Sequence, residues 1–567
     1  MKGACGMLGV LALVASSAAM YDVVVDYYAP PANCTEGCAS WTDLAADNCT
    51  GLNQSAVDAK WQFGVAPANV GRHCAMPAND PGEYGAWCYC RNSMAVWGFC
   101  EANQSVPTPE QVNLQVAGPD TVVVSFVTFN DTATSAPTAQ LGESADLTDA
   151  ITLTGITKEY TETSNASRHY FMHFVVFPDL TPSRSYFFRV RGGARSTWSS
   201  TFNFTSLYSG EQKNETKFAI FGDMGVYTYN NMDWLLDDVK AQRIDFIVHL
   251  GDHAYNVAQD SGLRGDGYFN AFQPILTKIP WVPVLGNHEY YDGDEFNRFL
   301  NQTYGVTLGD IPPAHPTSHI NSYIAIGSTL AQAVKGTSKT SRYYSVDVGQ
   351  VHVISLDLNV YYFDTELVFR KPMLDWLRAD LEAASQNRAT VPWIIVNAHQ
   401  PLYCSSVTMG ENSSSLWEFW YDQSNGENPG TFRGCTGTGI FPVEVSRLDL
   451  EALFREFDVD LFFAGHEHDY ESIYAVMNGT VVNKCDAGST TPGNCTFTNP
   501  SGVVHFVTGA GGAPHLDKFG DAGPFTRIQL SAWGYGRVTA TQEEFVYEHV
   551  LNSNGTVFDR VTVRKAH

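Results

Sequence analysis

The chain has 567 residues and a formal net charge of −26, with 44% of residues hydrophobic and 17% charged. That length exceeds a single hydrophobic core and implies several domains. The strong negative charge excludes nucleic-acid backbones and anionic membrane surfaces as partners.

Residues 1–19 read as a secretory signal, with Lys2 as the positive start, Met7 to Ala15 as the apolar core and Ser17-Ala18-Ala19 as a small-residue cleavage site. The apolar run is too short for a membrane anchor. No later stretch reads as a transmembrane helix, and the Val563-Arg564-Lys565-Ala566-His567 end lacks the hydrophobic tail of a lipid-anchor signal. The expected location is extracellular or the lumen of the secretory pathway. Twelve cysteines, and sequons at Asn33, Asn103, Asn165, Asn301, Asn412 and Asn554, predict a disulfide-bonded protein carrying N-linked glycans.

Residues 20–105 hold Cys34, Cys38, Cys49, Cys74, Cys88, Cys90 and Cys100 and are expected to form a small disulfide module. The odd number leaves one thiol free or paired elsewhere, and the spacings match no common zinc motif. Trp41, Trp61, Trp87 and Trp97 read as its core, or alternatively as a carbohydrate- or protein-binding face. A linker at Ser105-Val106-Pro107-Thr108-Pro109 leads into an all-β region over 106–206. There Val112 to Val116 alternates with period two, and Val122 to Val127 and Tyr186 to Arg191 are strand-like between turn residues.

From 215 to 550 strands alternate with helical patterns at 231–242, 371–386 and 443–457, which predicts a layered α/β domain. Five apolar runs each end in an oxygen or nitrogen ligand type. Lys217 to Phe221 runs into Gly222-Asp223-Met224-Gly225. Ile244 to Leu250 runs into Gly251-Asp252-His253-Ala254-Tyr255, and Trp281 to Leu285 into Gly286-Asn287-His288-Glu289. Trp393 to Ala398 meets His399, and Val459 to Ala464 meets Gly465-His466-Glu467-His468. Strand ends are where open α/β sheets place ligands, and glycine before the ligand lets the backbone approach closely. Asp252 offers two oxygens, enough to bridge two cations. Tyr255 offers a phenolate only to a cation able to pull its pKa below about 10. Mixed oxygen and nitrogen ligation without thiolate suits Fe, Zn or Mn better than Ca or Mg. There is no Gly-x-Ser-x-Gly and no P-loop. Cys404 with Cys435, and Cys485 with Cys495, are plausible pairs, and 408–429 reads as a mobile loop near the cleft.

In kind and in order, these five blocks resemble the signature blocks of plant-type purple acid phosphatases, which are calcineurin-like metallophosphoesterases. The resemblance is weaker outside 222–468 but extends over about 107–550. It implies a fibronectin-III-like sandwich over 106–206, read as a structural spacer, before a catalytic domain with two β-sheets sandwiched between helices. It also implies Fe(III) on Asp223, Tyr255 and His468, a divalent Fe, Zn or Mn on Asn287, His399 and His466, and Asp252 as the bridge. Two such ions about 3.5–4 Å apart clamp a phosphoryl group and activate water. The expected reaction is hydrolysis of small phosphate monoesters by metal-bound hydroxide.

Asn287 and His288 would meet the substrate. His288 would hydrogen-bond the phosphate or the leaving group, or else orient a ligand, and Glu289 would support the ligands. Plant enzymes of the family carry a histidine pair shortly after the lone-His block, whereas Pro401 to Met409 contains no histidine here. His253, His315, His319 and His515 are substitutes for the general acid, each with an alternative reading as a structural or solvent-exposed histidine. A phosphodiesterase or nucleotidase is a second enzyme reading. Tyr255 argues against it, as do the 99 residues after His468 (567 − 468), too few for a large nucleoside-binding domain. A noncatalytic adhesion protein is a third reading, and such a protein would have no need of seven ligands.

Overall fold

The computed structural model describes residues 28–29, 87–90, 93–99, 101–102, 108–129, 136–161, 169–225, 227, 229–255, 257, 263–289, 342–363, 369–407, 442–490, 493–519 and 522–565. The signal, the linker up to 107, residues 408–429, Cys435, His315, His319 and, of the six sequons named above, all but Asn554 lie outside them. Within the cysteine-rich region two antiparallel pairings are described, Trp87–Cys90 with Ser93–Phe99 and Tyr28–Ala29 with Glu101–Ala102.

The region from residue 215 onward is built on two sheets packed face to face. Glu215–Phe221, Phe246–His249 and Trp281–Pro283 run parallel in an eleven-stranded sheet. Val351–Leu356, Trp393–Ala398, Leu461–Ala464 and Val503–Thr508 run parallel in an eight-stranded one. These strands are covered on both faces, so they read as unbroken apolar runs. Their period of two divides each run between two layers. Phe218, Ile220, Phe246, Val248, Trp393, Ile395, Leu461 and Phe463 fill the space between the sheets. Ala219, Phe221 and Ile247 face outward onto helices Met232–Lys240 and Leu263–Leu276. Ile394, Val396 and Phe462 face helices Arg370–Gln386 and Pro442–Glu456. The arrangement is therefore two sheets between helices, as expected.

Helix Leu263–Leu276 is absent from the sequence expectation. Gly265, Gly267 and Pro274 lower its intrinsic propensity. Its polar residues Asp266, Asn270 and Gln273 are also buried, so no solvent-facing stripe marks it.

Those buried polar residues explain a second difference. Strand Glu110–Gly118 alternates in sequence as a half-exposed strand would, yet it is buried throughout. Val112 and Leu114 face a sandwich core shared with Ala139, Phe188 and Phe204. The polar side chains face helix Leu263–Leu276 and Trp281. Gln111 N–H donates to Asn270 Oδ1 (3.1 Å) and Gln111 Nε2 to Asp266 Oδ1 (2.9 Å). Val112 N–H donates to Gln273 Oε1 (2.8 Å), and Trp281 Nε1 to Asn113 Oδ1 (3.2 Å). The strand also pairs in parallel with Trp281–Pro283. The sandwich is thus joined to the eleven-stranded sheet through a buried, hydrogen-bonded seam, which a free spacer would lack.

The Cys485–Cys495 disulfide is present. Cys404 is also disulfide-bonded, to a partner outside the described residues.

The hairpin Tyr343–Val348/Val351–Leu356 carries an ion cluster that sets a pH dependence. His352 Nδ1 lies 2.6 Å from Asp347 Oδ1, and its Nε2 lies 3.0 Å from Asp380 Oδ2 on helix Arg370–Gln386. Burial opposes charge on this imidazole, but the two carboxylates outweigh it and raise its pKa from 6.5 to about 9. A raised pKa means the stabilisation is complete below about pH 6.5 and is lost as pH climbs through about 9. The melting temperature should therefore fall between these values, and the fall should shrink in His352→Gln. An identical pH profile for wild type and variant would refute the assignment.

Candidate metal centre

The parallel registers end level with one another, Phe221 beside His249 and His249 beside Pro283 in one sheet and Asn397 beside Phe463 in the other. The loops leaving both sheets therefore meet at one edge. Gly251, at φ +95°, turns a chain that no side chain could enter, because a Cβ there would lie 2.6 Å from Gly286 N and 2.9 Å from His399 Nδ1. At Gly465 a Cβ would lie 2.4 Å from Asp223 Oδ2. Asp223, Asp252, Tyr255 and His466 themselves adopt left-handed backbone, at φ +60°, +55°, +51° and +72°. Non-glycine residues occupy that region only where the surroundings over-determine it, and such positions cluster at functional sites.

One half of the site gathers Asn287, His399, His466 and Asp252. His399 Nδ1–H donates to the Leu250 carbonyl (2.8 Å), which leaves Nε2 to present a lone pair. That Nε2 lies 2.9 Å from Asn287 Oδ1, 3.2 Å from Asp252 Oδ2 and 3.3 Å from His466 Nδ1. His466 Nδ1 is itself 2.9 Å from Asn287 Oδ1. Four electron-pair donors from four loops thus face one another. The carboxylates around these imidazoles call for positive charge. Despite burial, Asp252 and Asp223 raise His399 to about 9, while burial and His399 hold His466 at about 3. A metal cation meets the same requirement with more charge.

The other half gathers Asp223, Tyr255 and His468. Tyr255 Oη donates to Asp223 Oδ1 (3.1 Å) and lies 2.8 Å from His468 Nε2, which is 3.5 Å from Asp223 Oδ1. Burial, then Asp223 and Asp252, push the Tyr255 phenol well above its ordinary value. Burial also raises Asp223, more than His399 lowers it. At Asp252 burial is outweighed by His399 and His288, and its pKa is lowered. A buried phenol against a carboxylate ionises only beside a cation, so this donor set fits a highly charged metal ion.

Further contacts hold these donors in place. Glu289 accepts N–H groups from Asp252 (3.0 Å), Gly286 (2.6 Å) and His253 (2.8 Å), tying two ligand loops together. Burial, with Asp252 nearby, raises its pKa to about 8. Asp517, which sequence reasoning missed, accepts the His468 N–H (2.7 Å) and returns its own N–H to the His468 carbonyl (3.1 Å). Strand Val503–Thr508 is another apolar run closing on glycine, and the segment after it packs on Gly222. Gly511 N–H donates to Gly222 O, and Gly222 N–H to Thr508 O. The same strand-then-glycine pattern could have flagged it.

The histidines considered for proton transfer are placed differently. His288 N–H donates to Asp252 Oδ1 (2.9 Å), its ring lies 4.8 Å from that of Tyr255, and the side chain is 29% exposed. His515 is half-exposed, 4.5 Å ring to ring from His468, with Nε2 3.5 Å from Asp517 Oδ1. His253 is wholly buried, with Nε2 on the Val284 carbonyl (3.1 Å) and its ring stacked on His249. That leaves His253 no route to a substrate. In the histidine-free segment after His399, Ser405 Oγ donates to Glu471 (2.7 Å) and Ser406 Oγ to Asp469. These side chains brace the neighbouring strand.

Comparison with known proteins agrees with this geometry. A model described as calcineurin-like phosphoesterase matches residues 216–470. The purple acid phosphatase N-terminal domain matches 109–206, and the iron/zinc purple acid phosphatase-like protein C matches 502–560. Acid phosphatase type 7 of Homo sapiens is 28% identical over 479 residues, covering 82% of this chain and 91% of its own. Probable inactive purple acid phosphatase 9 of Arabidopsis thaliana is 27% identical, covering 68% of this chain and 56% of its own. The solved purple acid phosphatase from yellow lupin (Lupinus luteus) seeds shares the fold, with a TM-score of 0.59 and 19% identity over 81% of this chain and 75% of its own.

The Glu289 contacts generate a test. In Glu289→Gln one amide oxygen replaces two carboxylate oxygens that serve three N–H donors. The variant should lose about 1–3 kcal/mol of stability and retain less metal. An unchanged denaturation midpoint together with full metal content would show that Glu289 does not hold the loops.

Proposed function

The chain belongs to the purple acid phosphatases, within the calcineurin-like phosphoesterases, and from that membership we propose that it hydrolyses phosphate monoesters at a dinuclear centre. The observation that carries the reading is the convergence of oxygen and nitrogen donors at one sheet edge, a set that fits metal cations. Asp223, Tyr255 and His468 would hold Fe(III). Asn287, His399 and His466 would hold a divalent Fe, Zn or Mn, and Asp252 would bridge the two. Some relatives are named inactive, but here every donor type of the set is present. When bound, such a pair supplies Lewis acidity to a phosphoryl group and lowers the pKa of a water nucleophile.

The chain's own residues do the rest. His399 is fixed by its Nδ1–H bond to Leu250, so its Nε2 cannot turn away. Burial of Asp223, Asp252 and His399 keeps competing water off the donors and strengthens every charge interaction among them. His288 stands at the open side, on the same backbone turn as Asn287, and would donate a hydrogen bond to the phosphate or the leaving oxygen. The signal-like start, the sequons and the Cys485–Cys495 disulfide support an exported glycoprotein.

Two experiments test the centre. With Fe(III) on Tyr255 the purified protein should be pink to violet, and Tyr255→Phe should lose the colour while keeping its fold. A fully metallated, active and colourless wild type under oxidising conditions would sink the iron–phenolate assignment. Removing His288 tests the leaving-group role. His288→Ala should slow esters of weakly acidic alcohols by about 10²–10⁴-fold and activated aryl esters far less, with both ions retained. Equal losses across graded leaving groups would confine His288 to positioning.

A further inference from the structure

Tyr227, Tyr229 and Trp533 form a row of aromatic rings. Tyr227 belongs to the same buried cluster as Tyr255. Its ring is parallel to that of Tyr229 (7°, 5.7 Å between centroids), and Tyr229 stacks on Trp533 at 4.0 Å. Unlike Tyr227, both Tyr229 and Trp533 are partly exposed.

The outer two rings are held in register by separate parts of the chain. Asn552 donates its backbone N–H to the Trp533 carbonyl (2.9 Å) and its side-chain amide to the Tyr229 carbonyl (2.8 Å). Tyr229 Oη donates to the Pro514 carbonyl (2.9 Å), next to the half-exposed His515 whose ring lies 4.5 Å from His468. The Trp533 Nε1–H is buried with no acceptor among the described residues.

We infer that Tyr229 and Trp533 form a subsite for the alcohol portion of the substrate, selecting phosphate esters whose alcohol carries a flat aromatic ring. The inference rests on the phosphate-ester reading of the centre. A phosphoryl group over the donor set leaves its ester oxygen directed outward, and the ring-bearing wall beside His468 and His515 is one surface that the alcohol meets. Aromatic faces prefer offset or edge-on contact with another ring and add little for a small alkyl group.

The test is binding of phenylphosphonate and methylphosphonate to the metal-loaded enzyme, measured by calorimetry. Neither ligand can be hydrolysed as an ester, so binding is read without turnover. The wild type should bind the phenyl compound about fivefold to tenfold more tightly. Tyr229→Leu and Trp533→Leu should each bring the ratio toward one while leaving methylphosphonate binding unchanged. Tyr229→Phe keeps the ring and should keep the preference even if loss of the Pro514 contact lowers stability. Equal binding of the two ligands by the wild type, or a preference that survives Tyr229→Leu, would overturn the subsite alone. Failure of the wild type to bind either ligand would overturn the phosphate-ester reading together with the subsite.

Discussion

Electron-pair donors repel unless something positive lies between them, and the catalytic domain is arranged around that repulsion. Asn287 Oδ1, His399 Nε2, His466 Nδ1 and Asp252 Oδ2 approach one another within about 3 Å. Beside them a buried phenol faces a buried carboxylate and a third imidazole. His399, Asp223 and Asp252 cannot relax into solvent, because they are essentially inaccessible. The burial that makes the cluster costly without a cation makes it selective for one.

Holding such a cluster needs a rigid frame. Parallel strands from two sheets end level, the loops leave through left-handed backbone, and Glu289 and Asp517 consume the N–H groups those loops would otherwise leave buried and unpaired. The frame extends beyond the catalytic domain. Strand Glu110–Gly118 adds a strand to the sheet at Trp281–Pro283, and its amide side chains lock onto helix Leu263–Leu276. That helix carries Tyr268, whose hydroxyl lies 3.2 Å from His249 Nε2 beneath the Gly251-Asp252 loop. The N-terminal sandwich is therefore part of the scaffold supporting the metal loops.

The mouth of the site is where this chain departs from the plant pattern. The segment after His399 carries serines turned inward to Glu471 and Asp469 in place of a histidine pair. Two histidines from other loops stand open instead, His288 beside Tyr255 and His515 beside His468. They flank the centre from opposite ends of the Tyr255–His468 contact, and the stacked rings of Tyr229 and Trp533 extend the wall from the His515 side.

The positions of the candidate donors were legible in the sequence because strands buried on both faces leave a continuous apolar run, and glycine marks where such a run must turn in a crowded space. Gly222-Asp223, Gly251-Asp252, Gly286-Asn287 and Gly465-His466 carry that signature, and helices Met232–Lys240, Arg370–Gln386 and Pro442–Glu456 announce themselves by ordinary periodicity. What sequence could not supply was the partner of a polar side chain. Gln111, Asn113, Asp266 and Asn270 look like solvent-facing residues, because alternation records polarity and not whether water or another amide satisfies it. The same limit hid Asp517, 49 residues from the backbone N–H it accepts, and it left His253 open as an acid until burial and the Val284 carbonyl removed it. Local pattern determined which residues sit at the strand ends. Only the packing of distant segments decided which of them face one another at the sheet edge, which stay open to solvent and which merely hold the others still.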